Sequence, residues 1–175
     1  MKTQVKEHAN WQMRARLLKY HEDITPFAKE GREAEFHKLF KPYEVIEQEH
    51  NCLLNSGINE MWDLVTGVVS GADHIYDNSG ATIGVGDDDT AAEATDTDLG
   101  GDPNKTYKAM EGGYPTSTSQ KATFKSSFGS SDANYAWEEW VVKQATSAIC
   151  LNRKVESLGT KSTGTWTLEV DITLS

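Results

Sequence analysis

The clearest pattern in the chain is a strict alternation of apolar and polar residues over positions 165–175, which read TWTLEVDITLS. The apolar residues of this segment fall on one side: Trp166, Leu168, Val170, Ile172 and Leu174. Successive side chains of a strand point to opposite faces of its sheet. The alternation therefore predicts a β-strand with one buried face and one solvent-exposed face.

Shorter alternating stretches, separated by turn residues, recur along the rest of the chain. They predict strands near residues 11–17, 43–47, 81–85, 105–110, 121–128, 133–143 and 149–155. In the stretch 133–143, Trp137 and Val141 are expected on one face and Trp140 and Val142 on the other. Short strands separated by frequent turns are typical of antiparallel sandwiches and barrels. We expect a mainly β fold: an antiparallel β-sandwich or jelly-roll-like domain with one or two short helices and an N-terminal arm.

Two segments have helical periodicity instead. Residues 54–66 predict a helix that Asn55 or Ser56 caps and Gly67 ends. Five apolar residues share one face of it: Leu54, Ile58, Met61, Trp62 and Val65. A shorter helix is predicted over residues 32–41, although residues 18–45 also fit an extended arm. We divide the chain into an N-terminal strand, arm and short helix (1–52) and an acidic β-sandwich domain (53–175).

Charge is distributed unevenly between these two parts. The net charge is −10, and residues 1–52 contain nine Lys or Arg and nine Asp or Glu, so residues 53–175 carry the whole excess. An acidic surface repels phosphate backbones, and we expect no nucleic-acid partner. No apolar run approaches the roughly 20 residues of a membrane helix, and the first residues contain no signal-peptide segment. We therefore expect no membrane partner, and assembly in a cytoplasm.

The acidic stretch 87–102 is the one candidate metal site. Calcium prefers several oxygen ligands, so four residues are weak candidate ligands: Asp87, Asp89, Asp96 and Asp98. Ala92 stands where the loop of an EF-hand needs glycine. The alternative that we favour is a solvated loop, and we expect no metal and no cofactor.

Catalytic candidates are weak as well. Glu138 and Glu139 are neighbours on a predicted strand, so they point to opposite faces and do not flank one glycosidic bond. The later aromatic residues suit either a sugar-stacking platform or, more commonly, a core. These are Phe124, Phe128, Tyr135, Trp137 and Trp140. We expect no enzymatic activity.

Five stretches, in this order, resemble a family encoded among the structural genes of tailed bacteriophages and prophages. They read LLNSGINEMWDLVTG, ATIGVGDDDTAAEATDTDL, NKTYKAMEGGYPT, FGSSDANYAWEEW and LNRKVESLGTKSTGTWTLEVDITLS, and they cover roughly residues 53–175. The resemblance implies a virion component, either a head decoration (cement) protein or a tail-associated protein.

A functional hypothesis follows from this resemblance. We expect a non-enzymatic virion structural protein: first, a capsid decoration protein on the outer head surface that stabilises the phage head; alternatively, a tail, baseplate or fibre component that binds a host-surface glycan. The expected partners are the major capsid protein and neighbouring copies in a trimer, assembled in the host cytoplasm. Candidate interface residues are the aromatics of the N-terminal arm, Trp11, Phe27, Phe36, Phe40 and Tyr43. The alternative is that these aromatics pack on the protein's own sandwich.

Overall fold

The computed structural model describes residues 10–175, which form ten strands and three helices. In chain order the elements are β1 (Trp11–Tyr20), α1 (Thr25–Ala28), α2 (Glu33–Leu39), β2 (Glu44–Glu49), β3 (Cys52–Leu53), α3 (Asn55–Thr66), β4 (Ala81–Gly86), β5 (Lys105–Ala109), β6 (Thr116–Thr118), β7 (Lys121–Phe128), β8 (Ala136–Gln144), β9 (Cys150–Thr160) and β10 (Thr165–Leu174). Sheet A has the order β2-β1-β10-β7-β6, and sheet B has the order β3-β9-β8-β4-β5. The strand pairs are antiparallel, which confirms the predicted mainly β fold.

The C-terminal strand β10 lies in the centre of sheet A, between β1 and β7. Its apolar face is buried as the alternation predicts, except at Leu174, which is partly exposed. The polar face differs from the prediction, because Thr165 and Thr167 are also fully buried. The hydroxyl of Thr165 accepts a hydrogen bond from the Ile24 backbone N–H and donates one to the Glu22 carbonyl, so the segment before α1 covers this end of the strand.

The main core lies between the two sheets. Four of the five predicted aromatic residues, Phe124, Phe128, Trp137 and Trp140, are buried in it, which confirms their use as core, and Tyr135 is partly buried against it. The indole rings of Trp137 and Trp166 meet edge to face at 4.9 Å. The prediction that Trp137 shares a face with Val141 was wrong: β8 is irregular between Trp137 and Glu139, where its register with β9 shifts.

Other segments of the chain pack on the outer face of each sheet. On sheet A, α1 and α2 pack over the end of β1 through a second apolar cluster around Tyr20, Ile24 and Phe36. On sheet B, residues 87–104 run across the outer face, where Leu99 packs with Val141. Two strands from the N-terminal third, β1 and β2, complete sheet A.

Helix α3 packs against β9 of sheet B. Gly67 ends it in the left-handed conformation (φ 72°), as predicted. The predicted cap was wrong: Leu54 occupies the N-cap position, and its side chain has no polar atom to accept a hydrogen bond from the first turn. The backbone N–H of Asn55 instead binds the carbonyl of Ala94 at 2.9 Å, so the acidic loop pairs with the first N–H group of the helix.

In the part of the chain that the structure describes, no helix has the length and apolar character needed to cross a membrane.

Candidate functional site

Four charged side chains meet on the outer face of sheet B and form one ion-pair network, here called the Arg153 cluster: Asp88, Asp96, Glu139 and Arg153. The guanidinium of Arg153 uses three nitrogens, with Nε 2.8 Å from Glu139 Oε2, Nη1 2.7 Å from Asp96 Oδ2 and Nη2 2.7 Å from Asp88 Oδ2. The side chains of Arg153 and Glu139 are buried. One cation therefore ties two strands to two points of the acidic loop.

The backbone around Glu139 is shaped to receive its carboxylate. The backbone N–H groups of Gly100 and Gly101 donate to its two oxygens at 3.0 and 2.7 Å. A Cβ atom on Gly86 would lie 2.3 Å from Glu139 Oε1, so the neighbouring strand has to present a glycine there. Glu138 points elsewhere and accepts a hydrogen bond from the Ser157 hydroxyl, which confirms that the two glutamates diverge.

The ionisation of the cluster follows from these contacts. Burial alone would raise the pKa of Asp88, but hydrogen bonds from Thr90 and Arg153 outweigh it and lower that pKa. The pKa of Asp96 is lowered, again against burial, by the Glu93 backbone N–H and by Arg153. Burial tends to lower the pKa of Arg153, but its carboxylate partners raise it above the ordinary value. All three groups are charged at neutral pH.

The candidate calcium ligands are dispersed among different protein partners. Asp96 belongs to the Arg153 cluster, Asp98 pairs with Lys143 Nζ at 3.0 Å and accepts a hydrogen bond from the Tyr107 hydroxyl, and Asp87 accepts one from Asn104 at 2.6 Å. Asp89 is exposed. Among residues 10–175, no group of three or more His, Cys, Asp or Glu side chains is arranged to hold a metal ion.

The candidate interface aromatics do not form one surface. Phe36 is fully buried, and Phe27 and Phe40 pack around it with ring centroids at 5.6 and 5.0 Å. Trp11 starts β1 and donates its indole N–H to Asn51 at 3.1 Å. Tyr43 is half-exposed and stacks on His21 at 4.2 Å. Packing on the protein's own fold therefore describes Phe36 fully and Trp11, Phe27 and Phe40 in part. A docking role for these aromatics stays a prediction.

A second polar network, which the sequence did not indicate, joins α2 to the sandwich. His37 Nε2 lies 2.9 Å from Glu111 Oε1, and His37 Nδ1 lies 3.1 Å from the hydroxyl of Tyr20. Ser127 donates to the carboxylate of Glu111 rather than to the imidazole, which is not the order of a nucleophile and its general base. Burial, with the charge of Glu111, raises the pKa of Tyr20 to about 12, so the phenol stays neutral.

An exposed apolar surface lies on α3 and on Val68, the second residue after its end. It consists of Trp62, Val65 and Val68, which are 64%, 76% and 73% exposed, and is here called the α3 apolar surface. The prediction that Trp62 and Val65 share the buried face of the helix was wrong. The buried side of the helix is occupied instead by Gly57 and by Glu60, which pairs with His74. Because glycine has no side chain, the helix can lie directly against the backbone of Leu151.

No family model, curated protein or solved structure matches this chain.

Proposed function

We propose that this protein is a non-enzymatic structural component of a tailed-phage particle that decorates the outer surface of the head. The observation that carries this proposal is that three of the stretches that resemble the phage family supply the residues of one ion-pair cluster. The stretch ATIGVGDDDTAAEATDTDL supplies Asp88 and Asp96, AWEEW supplies Glu139, and LNRKV supplies Arg153. These residues form the Arg153 cluster and pair with one another inside the protein.

Motif residues that bind one another within the protein support a structural role. Catalytic side chains have to reach a substrate, whereas the four charged groups of the Arg153 cluster already bind one another within the protein. Their contacts fix residues 87–104 over the outer face of sheet B, and α1 and α2 cover the outer face of sheet A. Both outer faces of the sandwich are therefore covered by chain that is held in place by specific contacts, which suits a protein exposed on a particle surface.

The charge distribution also favours the outer surface of the head. Residues 42–104 contain fourteen Asp or Glu and no Lys or Arg. A surface that faces packaged DNA would experience strong repulsion with this composition, whereas a surface that faces solvent gains solubility. The major capsid protein is the partner that this location supplies.

The number of copies per particle tests the proposal. Quantitative mass spectrometry of purified particles, with cryo-electron microscopy of the same sample, should find on the order of hundreds of copies, because head symmetry repeats each decoration site many times. Particles assembled without the protein should release DNA at a lower temperature. A count of a few tens or fewer, located on the tail, would reassign the protein to the tail or baseplate alternative. Absence from purified particles would refute both.

A further inference from the structure

We propose that the α3 apolar surface is the docking site for a protein partner whose own face offers an apolar pocket bordered by Lys or Arg. This inference rests on the proposed function, which supplies the partner as a capsid protein. It goes further by naming the surface and the chemistry of its counterpart. It also differs from the hypothesis that the N-terminal aromatics dock.

The exposure of Trp62 is the first observation. An indole is the largest apolar side chain, and tryptophan is strongly enriched among residues that dominate binding energy. Val65 follows it at the i+3 position, so the two side chains are neighbours on the helix surface. Val68 comes directly after the glycine that ends the helix, and its backbone N–H binds the Asp63 carbonyl at 2.9 Å, which holds it beside the last turn.

The helix presents this surface because its opposite side is occupied. Gly57 packs on the backbone of Leu151, and Glu60 is buried and paired with His74 at 2.7 Å. A rotation of the helix that buried Trp62 would move Gly57 off the Leu151 backbone and separate Glu60 from His74. The exposed apolar side is thus fixed by the packing of the helix.

Charge selects the kind of partner. Asp63 follows Trp62 in the helix and is half-buried, and residues 42–104 contain no Lys or Arg to balance its charge. A basic border on the partner would complement this carboxylate and direct the encounter. A second copy docking through the same surface would bring two acidic surfaces together without a balancing cation, which is unfavourable, and anionic lipids or nucleic acids would be repelled.

The experiment uses the full-length protein and purified particles assembled without it. Fluorescently labelled protein is added to the particles, and the bound fraction is measured after sedimentation. We expect Trp62→Ser to weaken binding about tenfold or more. The matched control is Leu39→Ser, which removes a 60% exposed apolar side chain from α2 and should bind like the wild-type protein.

A second pair of variants tests the charge. Asp63→Lys should weaken binding, and Glu30→Lys, which changes the net charge equally on the segment between α1 and α2, should not. Circular dichroism melts of all four variants should match the wild-type melt, because each altered side chain lies at or near the surface. A variant that fails to fold is replaced by Val65→Ser, for which the same loss is expected.

The outcomes separate the two proposals. Wild-type protein that does not bind the particles refutes the head-decoration function and this inference with it. Wild-type and Trp62→Ser protein that bind equally refute the inference alone. Loss of binding with Leu39→Ser but not with Trp62→Ser would transfer the docking site to the α1–α2 side. A dimer in analytical ultracentrifugation that Trp62→Ser dissociates would assign the surface to a second copy and overturn the inference.

Discussion

Arg153 shows how much of this fold depends on single residues. Its guanidinium holds carboxylates from β8 and from two points of the acidic loop, and it lies almost entirely out of solvent. Removing one partner of a buried ion pair leaves the opposite charge uncompensated in a medium of low dielectric. The three carboxylates would then also repel one another at close range.

We predict that Arg153→Ala destabilises the protein by about 3–5 kcal/mol, because it leaves Glu139 buried without its cation. Urea unfolding followed by tryptophan fluorescence measures the change. Arg153→Lys keeps the charge but loses the planar fork, so its stability should lie between those of the alanine variant and the wild type. The matched control is Arg14→Ala, which removes an exposed partner of Glu47 and should leave the unfolding midpoint nearly unchanged. Equal midpoints for the two alanine variants would contradict the structural role of the cluster.

At the scale of elements, helix α3 depends on a close approach to β9. A Cβ atom at Gly57 would lie 2.5 Å from the carbonyl oxygen of Leu151 and 2.7 Å from its Cα atom. Both atoms belong to the backbone of a paired strand, so neither moves aside easily. The glycine therefore sets which side of the helix faces the sandwich and which side carries Trp62.

We predict that Gly57→Ala destabilises the protein by about 1–3 kcal/mol through this overlap, although alanine is the better helix former. Differential scanning calorimetry measures the stability. Relative to the wild type, the variant should show a larger increase of the amide hydrogen-exchange rate in residues 55–66 than in β10. Asn59→Ala, at an exposed position of the same helix, is the control and should not lower the stability. An unchanged or higher melting temperature for Gly57→Ala would show that α3 adapts without a cost.

On the scale of the whole molecule, buried and half-buried carboxylates tie separate parts of the chain together. Asp23, before α1, accepts hydrogen bonds from Ser130 after β7. Burial tends to raise the pKa of Asp23, but hydrogen bonds from Ser130 and Thr25 lower it to about 2. Asp88 and Asp96 of the Arg153 cluster also have lowered pKa values. Asp23 thus holds the segment before α1 against sheet A, and Asp88 and Asp96 hold the acidic loop against sheet B.

We predict that stability falls as the solution is acidified, because these pKa values are lower in the folded than in the unfolded chain. Their contribution is fully present well above the ordinary aspartate pKa of 3.8 and is lost as the pH falls toward about 2. Urea midpoints measured from pH 6 down to pH 3 test this. Asp23→Asn should be less stable than wild type at pH 6, and the difference should shrink toward pH 3. A midpoint independent of pH would contradict the assignment.

Local sequence determined most of the elements of this protein, although α1, β3 and β6 were not predicted. The predicted elements follow from local patterns: the alternation within β10, the short apolar stretches of the other strands and the glycine that ends α3. Each pattern spans only a few residues, so it can be recognised from the sequence. The divergence of Glu138 and Glu139 was predictable for the same reason. The total charge and its concentration after residue 52 also follow from the sequence alone.

Only the tertiary structure decided what each face contacts. Arg153 reaches residues 14, 57 and 65 positions away along the chain, and no local period encodes such distances. The burial of Thr165 and Thr167 depends on the segment around α1 that folds over them, and the exposure of Trp62 depends on the fit of Gly57 against β9. The inward turn of Trp137 depends on a register shift with its neighbouring strand. A sequence pattern specifies which residues share a side, but the surface that covers each side comes from distant parts of the chain.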